Sequence, residues 1–258
     1  MRPIFSRFWL LTIISLLLSL SIGVSNPQTS FGLSWMDLLF RGVQVIQLST
    51  ISPQQEVAIG RQINQGLLES GKVKLSKDAR INQYVHEIGQ RLAATSERPD
   101  LPYTFQVVRD NSINAFATMG GFVYLHTGLI KTADNEAELA SVIAHEIGHI
   151  VGRHSITQLR NTALAQGLLS AAGLETKTWV QLAVNLAYSL PNSRKDELEA
   201  DRLGLKNLAR AGYEPTAMIS FMRKLAQQEG STPTILNTHP ATSDRILALQ
   251  KQLNSVNN

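Results

Sequence analysis

Residues 142–155, VIAHEIGHIVGRHS, set two histidines four positions apart inside a run that is otherwise largely apolar. On an α-helix that spacing places His145 and His149 about 40° apart on one face, within reach of a single ion, with Glu146 beside them. Leu139, Val142, Ile143, Ile147, Ile150 and Val151 surround the pair, so the predicted helix is buried and its imidazoles need partners. A metal supplies one. In HExxH sites the histidines ligate zinc, and the glutamate takes a proton from the water that attacks a peptide carbonyl. The competing reading, a coincidence on a surface helix, fits poorly with so apolar a setting.

Such a site needs a third protein ligand. Gly152 stands where the HExxHxxGxxH pattern has its glycine, but the place of that pattern's last histidine is taken by Ser155. His154 misses the register by one and, on a continuing helix, points about 180° away from His145. A glutamate from a later helix is the other solution, and SRKDELEADRLGLKNL (193–208) offers one. Glu197 and Asp201 share a face with Ala200, Gly204 and Leu208, whereas Glu199 lies about 160° from Glu197, towards Arg202 and Lys206. Glu197 is therefore the better ligand and Glu199 a solvated residue paired with Arg202. Asp201 is placed to accept a hydrogen bond from the second nitrogen of a ligating histidine. Ala140, Ala144, Gly148 and Gly152 on the first helix match Ala200 and Gly204 on the second, which predicts a close crossing.

Composition narrows the chemistry further. The 258 residues contain no cysteine, which excludes disulfides, thiolate zinc ligands and a cysteine nucleophile. Net charge is only +4, and no Lys/Arg cluster is interleaved with aromatics, so nucleic acid is not an expected partner. Arg2 and Arg7 precede FWLLTIISLLLSLSIGV (8–24), and no acidic residue appears before Asp37. Residues 1–25 thus read as a signal peptide or N-terminal membrane anchor, delivering the rest beyond the cytoplasmic membrane, soluble or tethered through residues 8–24. Residues 26–51 form an amphipathic linker in which Trp35, Leu38, Leu39, Val43 and Ile46 recur at helical spacing and are expected to dock on the body. Residues 52–258 are the expected catalytic domain.

Periodicity predicts helices over 53–69, 77–94, 135–154, 156–170, 176–189, 194–211, 215–228 and 241–252. A strand is predicted over 103–108, and a hairpin around Gly120-Gly121 has 122–126 as its second strand. The fold class is α+β, mainly helical, with a small antiparallel sheet beside the HExxH helix. The NAFAT run before the hairpin is the expected edge strand, where substrate would add as an antiparallel strand through main-chain hydrogen bonds along Asn114, Ala115, Phe116 and Ala117. Asn114 either orients substrate or closes a loop. His239 either starts a helix or donates to the tetrahedral oxyanion, with Arg245 assisting. His86 and His126 read as structural.

HEIGH (145–149) followed by ELEAD (197–201), with NAFATMGG (114–121) upstream and THP (238–240) and Arg245 downstream, resembles the zinc metallopeptidase family of HtpX and the CAAX prenyl proteases. Within it, the chain is similar to the exported single-domain branch that includes LoiP and the peptidase domain of BepA. The resemblance covers about residues 52–250. It implies a zincin-type domain with one zinc on His145, His149 and Glu197, Glu146 as general base and Asp201 behind the ligands. In BepA-like relatives a histidine matching His239 restrains activity near the zinc, and the resemblance carries that role over. Two functions follow as expectations. The first is a metalloendopeptidase acting on exported or membrane-associated proteins, misfolded ones included. The second is a chaperone-like module that holds clients while zinc serves structure, and Glu146 discriminates between them, since a structural site has no use for an unligated carboxylate.

Overall fold

The computed structural model describes residues 51–166, 176–187, 191–228, 233–240 and 243–256. The expected export segment, and the linker apart from Ile51, lie outside the described residues. α1 (Pro53–Glu69) opens on a reciprocal cap: the Ser52 hydroxyl accepts from Gln55 N, and the Gln55 side chain accepts from Ser52 N. α2 (Ala79–Thr95) is capped by Asp78. Three strands follow, β1 (Thr104–Val108), β2 (Ala115–Thr118) and β3 (Phe122–His126), then the short α3 (Thr127–Thr132).

The sheet is mixed rather than antiparallel as expected. Its order is β1-β3-β2, with β1 parallel and β2 antiparallel to β3. After β1 the chain leaves one strand position open, and the turn at Gly120 and Gly121 (φ +79° and +93°) folds β3 back into it. β3 is buried along its whole length and so takes the centre. Its alternate residues divide the interior: Val123 and Leu125 join the core formed with α2 and the HExxH helix, while Phe122 and Tyr124 join the core formed with α1. β2 is left at the edge.

α4 (Glu136–Val151) starts at Asn135, whose side chain accepts from Glu138 N, and is buried from Glu138 to Ile150. It ends sooner than the expected 154. Gly152 caps it, Arg153 turns the chain through the left-handed region (φ +55°), and α5 (His154–Ala165) begins at once. α6 (Thr176–Leu186), α7 (Arg194–Arg210), α8 (Thr216–Gln227), the one-turn α9 (Ile235–Thr238) and α10 (Ser243–Val256) complete the described chain. No helix among the described residues is long and apolar enough to cross a membrane.

The close crossing read from the small-residue stripes is present between α4 and α7. A Cβ added at Gly148 would lie 2.5 Å from the Ala200 carbonyl oxygen, and one at Gly204 would lie 3.0 Å from the Ala144 carbonyl. Only glycine admits that approach, and it brings the polar faces of the two helices together.

Candidate active site

α4 presents His145, Glu146 and His149, α7 presents Glu197 and Asp201, His239 ends α9, and Arg245 projects from α10. All seven are buried. His145 Nε2 lies 3.0 Å from His149 Nε2 and 3.5 Å from Glu197 Oε2, and His149 Nε2 lies 3.3 Å from Glu197 Oε1. His239 Nδ1 is 3.3 Å from His145 Nε2 and 2.9 Å from Glu197 Oε1. One donor from each of His145, His149, Glu197 and His239 falls within 4.8 Å of every other. Ligands held about 2.0–2.1 Å from a tetrahedral zinc stand about 3.3 Å apart, so this donor set fits that ion.

The same crowding sets the two imidazoles against one another. Burial would lower both imidazoles, yet Asp201 and Glu197 outweigh it at His145 and push it up to about 10. Burial, reinforced by the neighbouring His145 and His239, drives His149 down to about 3. Two such nitrogens cannot both be charged, whereas a cation between them suits both. Burial opposes the charged form of Glu197, but His239, His145 and His149 hold its carboxyl far below the usual range.

Behind the donors lies a brace. Asp201 Oδ1 is 2.9 Å from His145 Nδ1, the nitrogen turned away from the cluster. Arg245 grips Asp201 with Nε and Nη2, each at 2.7 Å, while its Nη1 stands 2.6 Å from Glu197 Oε2 and donates to the Pro240 carbonyl. Sequence reasoning set Arg245 beside His239 as an aid to the oxyanion; its guanidinium instead faces the two carboxylates. Asn192, which sequence reasoning missed, donates from its backbone to the Thr238 carbonyl and approaches His239 Nδ1 at 3.4 Å, anchoring the α9 end. Its only signal was a turn-type PNS triplet (191–193) before α7.

Glu146 differs from every neighbour. Its side chain is fully buried, and neither oxygen has a hydrogen-bond partner among the described residues. His239 Nε2 stands 3.6 Å from Oε1, too far for a normal hydrogen bond. Burial raises its affinity for a proton.

A cleft runs from this point along the free side of β2, lined by Phe116, Ala117 and Thr118 together with Glu146, His149 and His239. Of the four residues expected along the edge, Phe116 and Ala117 line the cleft, whereas Asn114 and Ala115 do not. Ala115 is buried in the α4-side core, and the Asn114 carbonyl accepts from His126 N at the start of the β2–β3 ladder. His126 is buried against the Ser112 hydroxyl at 2.8 Å, as a structural residue should be.

Residues 79–253 match the model of peptidase family M48. The chain belongs to peptidase family M48. Among M48 relatives it is 35% identical over 225 residues to the beta-barrel assembly-enhancing protease of Escherichia coli O157:H7, covering 81% of this chain and 46% of that protein. It is 33% identical to the mitochondrial metalloendopeptidase OMA1 of Schizosaccharomyces pombe, over 66% of this chain and 52% of that one. The metalloprotease YcaL of Escherichia coli is 23% identical over 90% of this chain and 93% of its own length. The chain thus spans about half the length of the assembly-enhancing proteases it matches.

Proposed function

We propose that this M48 chain is a zinc-dependent endopeptidase that cuts exported or membrane-associated proteins, misfolded ones included. The observation that carries the reading is Glu146, a buried carboxylate without a hydrogen-bond partner, beside two imidazoles and a second carboxylate, Glu197, at zinc-ligand spacing. His145, His149 and Glu197 would hold the ion. An ion held there would supply Lewis acidity for the scissile carbonyl and for a water that attacks near neutral pH. Glu146 takes the proton of the attacking water and returns it to the leaving amine, a role that suits a carboxylate whose proton affinity burial has raised. Asp201 fixes the His145 tautomer, and Arg245 holds Asp201 and Glu197 in place. The polypeptide to be cut lies extended along β2, bound through its main chain, so that sequence preference comes only from the cleft wall.

His239 stands among the ligand donors, where a substrate carbonyl would have to enter. Turnover then requires the 238–240 segment to withdraw, which makes His239 a restraint. Four protein donors are also what a structural zinc site would use, and that favours the chaperone-like reading as the alternative. A cleavage assay separates the two. An unfolded exported protein should be cut, protected by a chelator and cut again when zinc is restored; binding without cleavage under all three conditions would favour the alternative. The names of the assembly-enhancing relatives make β-barrel proteins the first clients to try. Export through residues 1–25 belongs to the same proposal. A tag after Asn258 should be accessible only from outside the cytoplasm, and labelling from within would overturn that part.

A further inference from the structure

His154 was expected to point away from the metal, and its Nδ1 instead lies 2.9 Å from His149 Nδ1. The turn at residues 152–153 produces this. Arg153 adopts a left-handed conformation that a side chain disfavours by about 1–2 kcal/mol, and it is held there by donation to the Ile51 carbonyl at 2.8 Å, with its Nε 3.4 Å from Glu56 Oε2. Gly152 leaves the space: a Cβ there would fall 2.4 Å from His154 Nε2. The ring that results is buried and meets the His149 ring edge-on.

On the reading of His149 as a metal ligand, we infer that His154 is a positioning residue, accepting the His149 Nδ1–H through its own Nδ1 and thereby fixing the metal-ligating Nε2 tautomer. A neutral imidazole whose Nε2 faces His145 and Glu197 carries its proton on Nδ1. That proton's neighbour is His154 Nδ1, which must then be the bare nitrogen, leaving the His154 proton on Nε2. There it faces two carboxylates of α7, Glu199 Oε2 at 3.6 Å and Asp196 Oδ1 at 3.8 Å. Each ligating histidine is thus backed by α7 carboxylates, directly at His145 through Asp201 and through an intervening imidazole at His149. Glu199 gains a role beyond the solvated pair with Arg202 that its helical face implied.

Zinc affinity by chelator competition tests this on the whole chain. Removing an outer partner of a ligating histidine weakens metal binding about 10–100-fold, and His154→Leu should do the same. His154→Asn keeps an acceptor oxygen near the Nδ1 position and should restore binding to within about threefold of the unaltered chain. The cobalt-loaded protein should report the change independently: its ligand-field absorption should shift in His154→Leu and return in His154→Asn. Should His154→Leu not fold, His154→Gln, polar but displaced by one methylene, takes its place in the comparison. Equal zinc affinity in all variants overturns the inference while leaving the metal centre intact, as does a loss that His154→Asn fails to rescue. Failure of the unaltered chain to bind zinc removes the metal centre and this inference together.

Discussion

Glu138 and Glu146 are the same residue type on the same helix, both buried, and they are treated in opposite ways. Glu138 accepts from Asp134 N at 2.9 Å, from Ser220 Oγ at 3.3 Å and from Lys224 Nζ at 2.6 Å. Glu146, two turns further on, has no such partner on either oxygen. Glu56, a third buried glutamate, follows Glu138: Arg98 holds both its oxygens at 2.8–3.0 Å and also donates to the Ile150 carbonyl near the end of α4. Leaving a buried polar group unsatisfied disfavours folding by about 1–3 kcal/mol, so native proteins rarely do it without a use for the group. The satisfied carboxylates hold α4 in position. The unsatisfied one is the carboxylate to which the proposed function assigns the proton transfer.

Substitutions should split along that line. Glu197→Gln would replace the proposed carboxylate ligand by a neutral, poorer donor and should weaken zinc binding by on the order of 100-fold or more, abolishing proteolysis with it. Zinc titration checks this, and unchanged affinity would take Glu197 out of the site. Glu138→Gln should act on stability alone, lowering unfolding free energy by about 1–3 kcal/mol, with zinc stoichiometry unchanged. Denaturant unfolding and metal analysis on one preparation distinguish it from the site residues. At Ala117 the effect should be on binding. Because the Asn114–His126 pair is hydrogen-bonded, alternation along the ladder turns the Ala117 N–H away from β3 and towards the free edge. Ala117→Pro should therefore weaken client binding about 2–10-fold, as the loss of one hydrogen bond implies, and should spare zinc. A rise in KM without a fall in metal content is the expected signature. Smallest of all, Glu199→Gln should change zinc affinity by about twofold or less, since its carboxylate acts through His154 and its amide oxygen still accepts. An effect like that of Glu197→Gln would contradict the helical-face argument.

The helical period was enough to bring Glu197 rather than Glu199 towards His145 and His149, to set Asp201 against His145 and to anticipate the α4–α7 crossing, because all three depend on positions three or four residues apart. What escaped it lacked a local signal. The break after Val151 rests on Arg153 in a conformation that its residue type does not announce, so the period carries the helix on to 154 and turns His154 away from His145. α3 and α9 are too short to show a period. The parallel pairing of β1 with β3 and the grip of Arg245 on Asp201 join residues far apart in sequence, and periodicity does not report such contacts.

On the proposed function, Glu146 is spared a hydrogen-bond partner so that it can move protons at a zinc centre. Zinc content, melting temperature and cleavage of an unfolded protein should be measured together on the unaltered chain and on Glu146→Gln. If Glu146 moves the proton, one zinc per chain is expected in both, with a melting temperature that does not fall and cleavage reduced about 10²–10⁴-fold in the variant, which should retain its client. Cleavage at an unchanged rate in zinc-loaded Glu146→Gln would contradict it.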